Sequence, residues 1–149
     1  MFNVIAKNIE DVLNHYINDV EIKNISDVGD LMNLPLPSIL VEWTGYSVAQ
    51  DEAFGNLTRA NVNFAIHVSS KSAIGNGIND DAMHSCLSLL YRAITCLVGH
   101  DVGKGNHVHL ADCSKSIMEG NGFYSVQANI FVNTSLPSIK EKTWKNMRT

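Results

Sequence analysis

Apolar residues recur along this chain with two different periods. Between residues 3 and 20, Ile5, Ile9, Val12, Leu13, Tyr16, Ile17 and Val20 fall at helical intervals, while Lys7, Glu10, Asn14 and Asn18 lie elsewhere on the wheel. That spacing predicts an amphipathic helix. A stronger helical pattern runs from Asn79 to Gly99, where Met83, Leu87, Leu90, Ile94 and Leu97 form a stripe widened by Cys86, Leu89, Ala93 and Cys96. His84, Ser85, Ser88 and Arg92 mark its wet side. Asn79, Asp80 and Asp81 suit a helix start, where side chains accept bonds from free N–H groups and negative charge meets the positive dipole end. Gly99 stands where the chain needs a residue able to take positive φ. A stripe this wide requires a broad apolar partner surface.

Period-two patterning supplies that partner. Ser38–Trp43 is short, β-branched and apolar. From residue 60, Val62, Phe64, Ile66 and Val68 alternate with Asn61, Asn63, Ala65 and His67, the mark of a strand with one buried face. His107 to Met118 reads as a third strand, with Val108 and Leu110 on one side. Phe123 to Asn133 reads as a fourth, burying Tyr124, Val126, Ala128, Ile130 and Val132 against outward Ser125, Gln127 and Asn129. Glu119-Gly120-Asn121-Gly122 between them is a hairpin turn, since Asn-Gly tolerates positive φ. Residues 44–58 are mixed, either a long loop or the outer half of a protruding hairpin with its tip near Asp51–Asn56. Residues 21–37 read as irregular, with LPLP at 34–37 forcing extended backbone. The expectation is an α+β two-layer domain in the order α-β-β-α-β-β, with two helices on one face of a four-stranded, mostly antiparallel sheet. It spans residues 1–133, and residues 134–149 form a basic tail or arm.

Composition narrows the function. The length of 149 residues suits one domain with a real core. A net charge of −4 disfavours specific nucleic-acid binding, which a basic face normally drives. No apolar run approaches the roughly 18–20 residues that span a bilayer, so a membrane is not an expected partner. Lys7, Glu10, Asp11 and His15 interrupt any signal-peptide core. Cys86, Cys96 and Cys113 show no metal-finger spacing, and an intracellular, reducing setting is the simplest reading.

Candidate chemistry is sparse. His107-x-His109 puts two imidazoles on one strand face, near His100 and Asp101, but no further ligand holds a motif-grade position. Gly103-Lys104-Gly105 is followed by a strand rather than a phosphate-binding helix. Alternation puts Cys113 on the face of His107 and His109, yet four to six residues along a strand is about 13–20 Å, too far for a thiol–imidazole pair. The sequence therefore calls for no enzyme activity, no cofactor and no metal. The polar, uncharged sheet face suits either plain solvation or a protein interface that keeps hydrogen bonding and sheds charge.

The Leu-Pro-x-Ile-Leu-Val strand at 36–41, Gly45 just after it, the alternating strand at 60–69, the DAMHSCLSLLYRAITCLVG helix and the apolar return strand at 123–132 together resemble the minor tail proteins of Mu-like phages and prophages that group with tail terminators. The resemblance lies in pattern and order across residues 1–133. It implies a structural protein that caps the growing tail tube as a hexameric ring and offers the surface for head attachment. Its partners would then be other copies of itself, the tail tube and head-completion proteins. Its location would be the host bacterial cytoplasm during assembly and then the virion tail. A non-enzymatic small-ligand-binding or regulatory α+β module is the alternative, and it requires a concave apolar pocket between sheet and helices. For the ring, the expected interface residues are Tyr46, Asp51, Glu52, Phe54, Arg59, Asn61, Asn63, His67 and Trp144. Phe54 beside charges of both signs, with nothing local to bury it, is the expected anchor, the alternative being a mobile loop whose Phe54 folds back onto its own strand.

Overall fold

The computed structural model describes residues 2–24, 37–51, 57–71, 80–103, 106–115 and 123–137. The LPLP segment up to residue 36, the hairpin tip at 52–56, the connection at 72–79, the turn at 116–122 and the basic residues after 137 lie outside these. The elements are α1 (Phe2–Tyr16), β1 (Glu21–Asn24), β2 (Ser38–Asp51), β3 (Leu57–Lys71), α2 (Asp80–Leu97), β4 (Val108–Lys115) and β5 (Phe123–Pro137). The strands form one sheet in the order β1-β2-β3-β5-β4. All pairings are antiparallel except β1 with β2, which is parallel. The α+β reading holds, with a correction from four strands to five and from an antiparallel edge to a mixed one. β1 escaped because Glu-Ile-Lys-Asn holds one apolar residue, too few to show a period.

Both helices lie on one face. Ile5, Ile9 and Leu13 of α1 and Cys86, Leu89, Leu90, Ala93 and Leu97 of α2 close over Ile39, Val41, Phe64, Ile66, Val126 and Ile130, all buried. At about 25 cal/mol per Å², area of this kind is the main stabilising term. Two apolar faces sit differently from the sequence expectation. Leu87 is 44% exposed and Tyr16 55% exposed, whereas Leu89 and Ala93 are buried. The cause on α2 is α1 itself. It occupies one flank, so the buried arc turns toward Leu89 and Ala93 and away from Leu87.

α1 packs over β1 and β2, and α2 over β3 and β5. Ser70 Oγ donates to Ser85 Oγ at 3.2 Å and fixes the start of α2 at the end of β3. The other end is fixed by Gly99 (φ 80), whose N–H donates to the Val108 carbonyl at 2.8 Å, and by a bridge from Val98 to Val108. Val108 pairs with Val132 and Val132 with Val62, so α2 ends above that row. Beyond it the sheet continues without α2 as a three-stranded arm of β2 from Gly45, β3 before Asn61 and β5 from Asn133 to Pro137. Residues 44–51 are therefore the rising half of a protruding hairpin rather than a loop. Bulges at Thr44 and Ala49 punctuate that half, and Gly45 takes φ 133 there. A bulge adds local twist and bends the strand.

Candidate functional site

The open sheet face is where the structure concentrates polar side chains that the core does not use. β3 and β5 present Asn61, Asn63, His67, Gln127, Asn129 and Asn133 there, each half-buried between neighbouring strands. Period-two geometry puts them on one face, and long-range pairs lock them. Arg59 Nη1 donates to Asn133 Oδ1 at 3.2 Å, and Asn133 Nδ2 donates to Asn61 Oδ1 at 2.9 Å. Gln127 Nε2 donates to Asn129 Oδ1 at 3.2 Å, and Asn129 Nδ2 donates to Asp112 of β4. His67 Nε2 and Glu42 Oε1 lie 3.0 Å apart across β3 and β2. Ser69 Oγ donates to Ser125 Oγ at 3.2 Å, and the His109 ring stacks on Phe131 with centroids 5.1 Å apart. The result is a lattice of amide, imidazole and hydroxyl groups on β3 and β5, joined by the Arg59 guanidinium and extended to β2 and β4 by the carboxylates of Glu42 and Asp112.

Of the expected interface residues, Arg59 and Asn61 meet through Asn133. Asn63 and His67 share their face further along β3, opposite Phe131 and Gln127. Tyr46 is 54% exposed but stands opposite Val62, on the helix side of the sheet. Asp51 ends β2 opposite Thr58. Glu52, Phe54 and Trp144 lie outside the described residues. Glu42, Asp112, Phe131 and Asn133 were not foreseen. The available signal was Glu42, a lone carboxylate in an apolar strand whose diagonal neighbour on the next strand is a histidine.

The histidine pair is not a joint site. His107 Nδ1 is 3.0 Å from the Gly99 carbonyl, while His109 stacks on Phe131. Among the described residues no group of three His, Cys, Asp or Glu is placed to hold a metal ion. Cys113 does not share the His109 face, contrary to simple alternation. The bulge at Ala111 resets the register so that Cys113 pairs with Ala128 on the helix side, whereas Asp112 meets Asn129 outside. Cys86 is buried, and burial pushes its thiol up to about 11, which keeps it a poor nucleophile.

A surface pocket of about 540 Å³ opens where α1 and α2 end, lined by Tyr16, Ile17, Arg92, Thr95, Cys96 and His100 among others. Arg92 makes a two-pronged pair with Asp19 at 2.8 and 3.1 Å beside it. This pocket is open and mixed in polarity, and it is not the apolar cavity between sheet and helices that a ligand-binding module requires. No helix among the described residues is long and apolar enough to cross a membrane.

No family model matches the sequence, and neither does any curated protein. Solved structures do match. A chain of the virion of a native gene transfer agent superposes with a TM-score of 0.58 at 14% identity, covering 91% of this chain and 95% of that one. The sheath/tube terminator of an extracellular contractile injection system (PVC), in its extended state, superposes with a TM-score of 0.54 at 13% identity. That match covers 91% of this chain and 57% of the terminator, so the chain spans little more than half of that protein. The chain shares its fold with these two chains.

Proposed function

We propose that this protein is a tail-terminator-like structural component, of the kind found in Mu-like phages and prophages, that caps a tail tube as a ring and presents the surface for head attachment. The observation that carries this reading is the fold shared, over 91% of the chain, with a sheath/tube terminator and with a virion chain. The geometry is compatible on two counts. A three-stranded continuation of the sheet runs past the end of α2, and the open sheet face is mostly uncharged hydrogen-bonding groups. In the ring, the Tyr46–Arg59 arm of one copy meets the Asn61, Asn63 and His67 face, or the Trp144 tail, of the next. Two different surfaces thus close a head-to-tail contact. Residues 138–149, past the end of β5, act as an arm beyond the domain. The partners are further copies, the tail tube and head-completion proteins; assembly takes place in the host cytoplasm and the product resides in the virion tail. The role is structural, without catalysis.

The test is complementation in a producing strain. Loss of the protein is expected to give overlong tails without heads in negative-stain images, and the intact gene restores length. The Phe54→Ser, Arg59→Glu double variant is expected to fail to restore it. Tails of normal length and attached heads in the absence of the protein contradict the proposal.

A further inference from the structure

α2 has a second apolar flank that the fold leaves uncovered. Leu87 is 44% exposed, Tyr91 71% and Val98 44%, and Ile94 between them is only partly buried. These residues follow one another at helical intervals, about 100° around the helix from the core-facing Cys86 and Ala93. Arg92 and Cys96 lie on the opposite flank, toward Asp19 and Tyr16. The exposed flank therefore looks away from α1 and out over β4. That edge strand has no helix of its own above it, because α1 covers β1 and β2 while α2 covers β3 and β5. Leu110, on its helix side opposite Ile130, is 40% exposed, and every residue from His109 to Ser114 is exposed. Together they form an apolar step, with α2 as its wall and β4 as its floor.

We infer that this step receives the C-terminal segment 138–149 of a second copy of the chain. Charge is the first argument. That segment carries Lys140, Lys142, Lys145 and Arg148 against Glu141, a net +3, which leaves −7 on the preceding 137 residues out of the total of −4. Cations favour the carbonyl end of α2 and the open ring face of Tyr91. Apolar content is the second. Ile139, Trp144 and Met147 are interleaved with those cations, so the segment has anchors for Leu87, Tyr91 and Leu110. Length is the third. Twelve residues in helical form span about 18 Å, and Leu87 to Val98 along α2 is about 17 Å. The donor is another copy because β5 carries the chain away from the flank, running five residues past the Val132–Val108 row, about 17 Å, before Pro137. The inference deepens the ring reading in that it needs self-association, though not a closed ring.

The experiment replaces Trp144 by p-benzoylphenylalanine in unlabelled full-length protein, co-assembles it with ¹⁵N-labelled wild type, and maps photo-crosslinks by mass spectrometry. Links to ¹⁵N-labelled peptides of α2 or β4 are expected. They should fall about tenfold when the labelled partner carries Leu87→Glu and Tyr91→Ser. Tyr91→Ser alone, at the most exposed of these positions, serves if the double variant lowers the melting temperature. Links only within unlabelled chains, links to other surfaces, no links at all, or links that survive the substitutions overturn the inference. Solution mass separates the two readings. The link in an assembly that is not a ring contradicts the ring and leaves this contact standing, whereas a ring without the link does the reverse.

Discussion

Cys86 and Cys113 sit on the same side of the sheet in opposite surroundings, and they show how far single residues are set by register. Cys86 is buried on the sheet-facing side of α2, with its Sγ 3.8 Å from the Val68 carbonyl, and its thiol is pushed up to about 11. Cys113 is exposed on β4. Alkylation of the native protein at about pH 8 is expected to modify Cys113 first and Cys86 only on unfolding, read by peptide mass spectrometry. Equal rates at the two thiols would mean that the Cys86 face of α2 is not packed on the sheet. Asp19 makes a second residue-scale case. Its bond from Arg92 holds its carboxyl below the ordinary value of 3.8. A depressed folded value stabilises the fold above the unfolded one, and that contribution disappears as pH falls through the folded value. The gap in melting temperature between wild type and Asp19→Asn is therefore expected to be full near neutrality and to close below about pH 4, with a small size because the pair is exposed. A gap that persists unchanged in acid contradicts this. Little of the residue scale was legible in the sequence. The Ala111 bulge moves Cys113 off the His109 face, and the Glu42–His67 contact depends on strand pairing that no local pattern encodes.

At the scale of elements the sequence was far more informative. Both helices and four of the strands declare themselves through long apolar periods, and the Val62–Val68 alternation places every residue on its observed face. The parts missed have physical causes. β1 is four residues long and held by pairing with β2, so nothing local marks it. The burial of α2 is tilted because α1 shares the sheet, which leaves Leu87 exposed while Leu89, on the widened stripe, is buried as expected. Substitutions separate these positions. Leu90→Ala, in the packed core, is expected to cost about 2–5 kcal/mol in denaturant melts. Leu87→Ala is expected to stay within about 0.5 kcal/mol, as surface changes do. Comparable losses at both sites would put the buried arc back on Leu87.

At the scale of the whole molecule, a small domain leaves three features unused by its own core. They are an arm beyond the end of α2, a mostly uncharged polar sheet face, and an edge strand beside α2 with no helix of its own above it. The first was legible as one of two readings of residues 44–58, and the second from the alternation of Asn with apolar residues. The third was not, since it depends on which strands the helices happen to cover. All three become contacts if copies assemble around an axis, which is the central claim. Its most direct test is the mass of the purified full-length protein by light scattering, alone and with tail tubes. The account predicts a closed ring of six copies of 16.4 kDa, about 98 kDa, bound at tube ends. A monomer at 16.4 kDa that stays monomeric in the presence of tubes would contradict it.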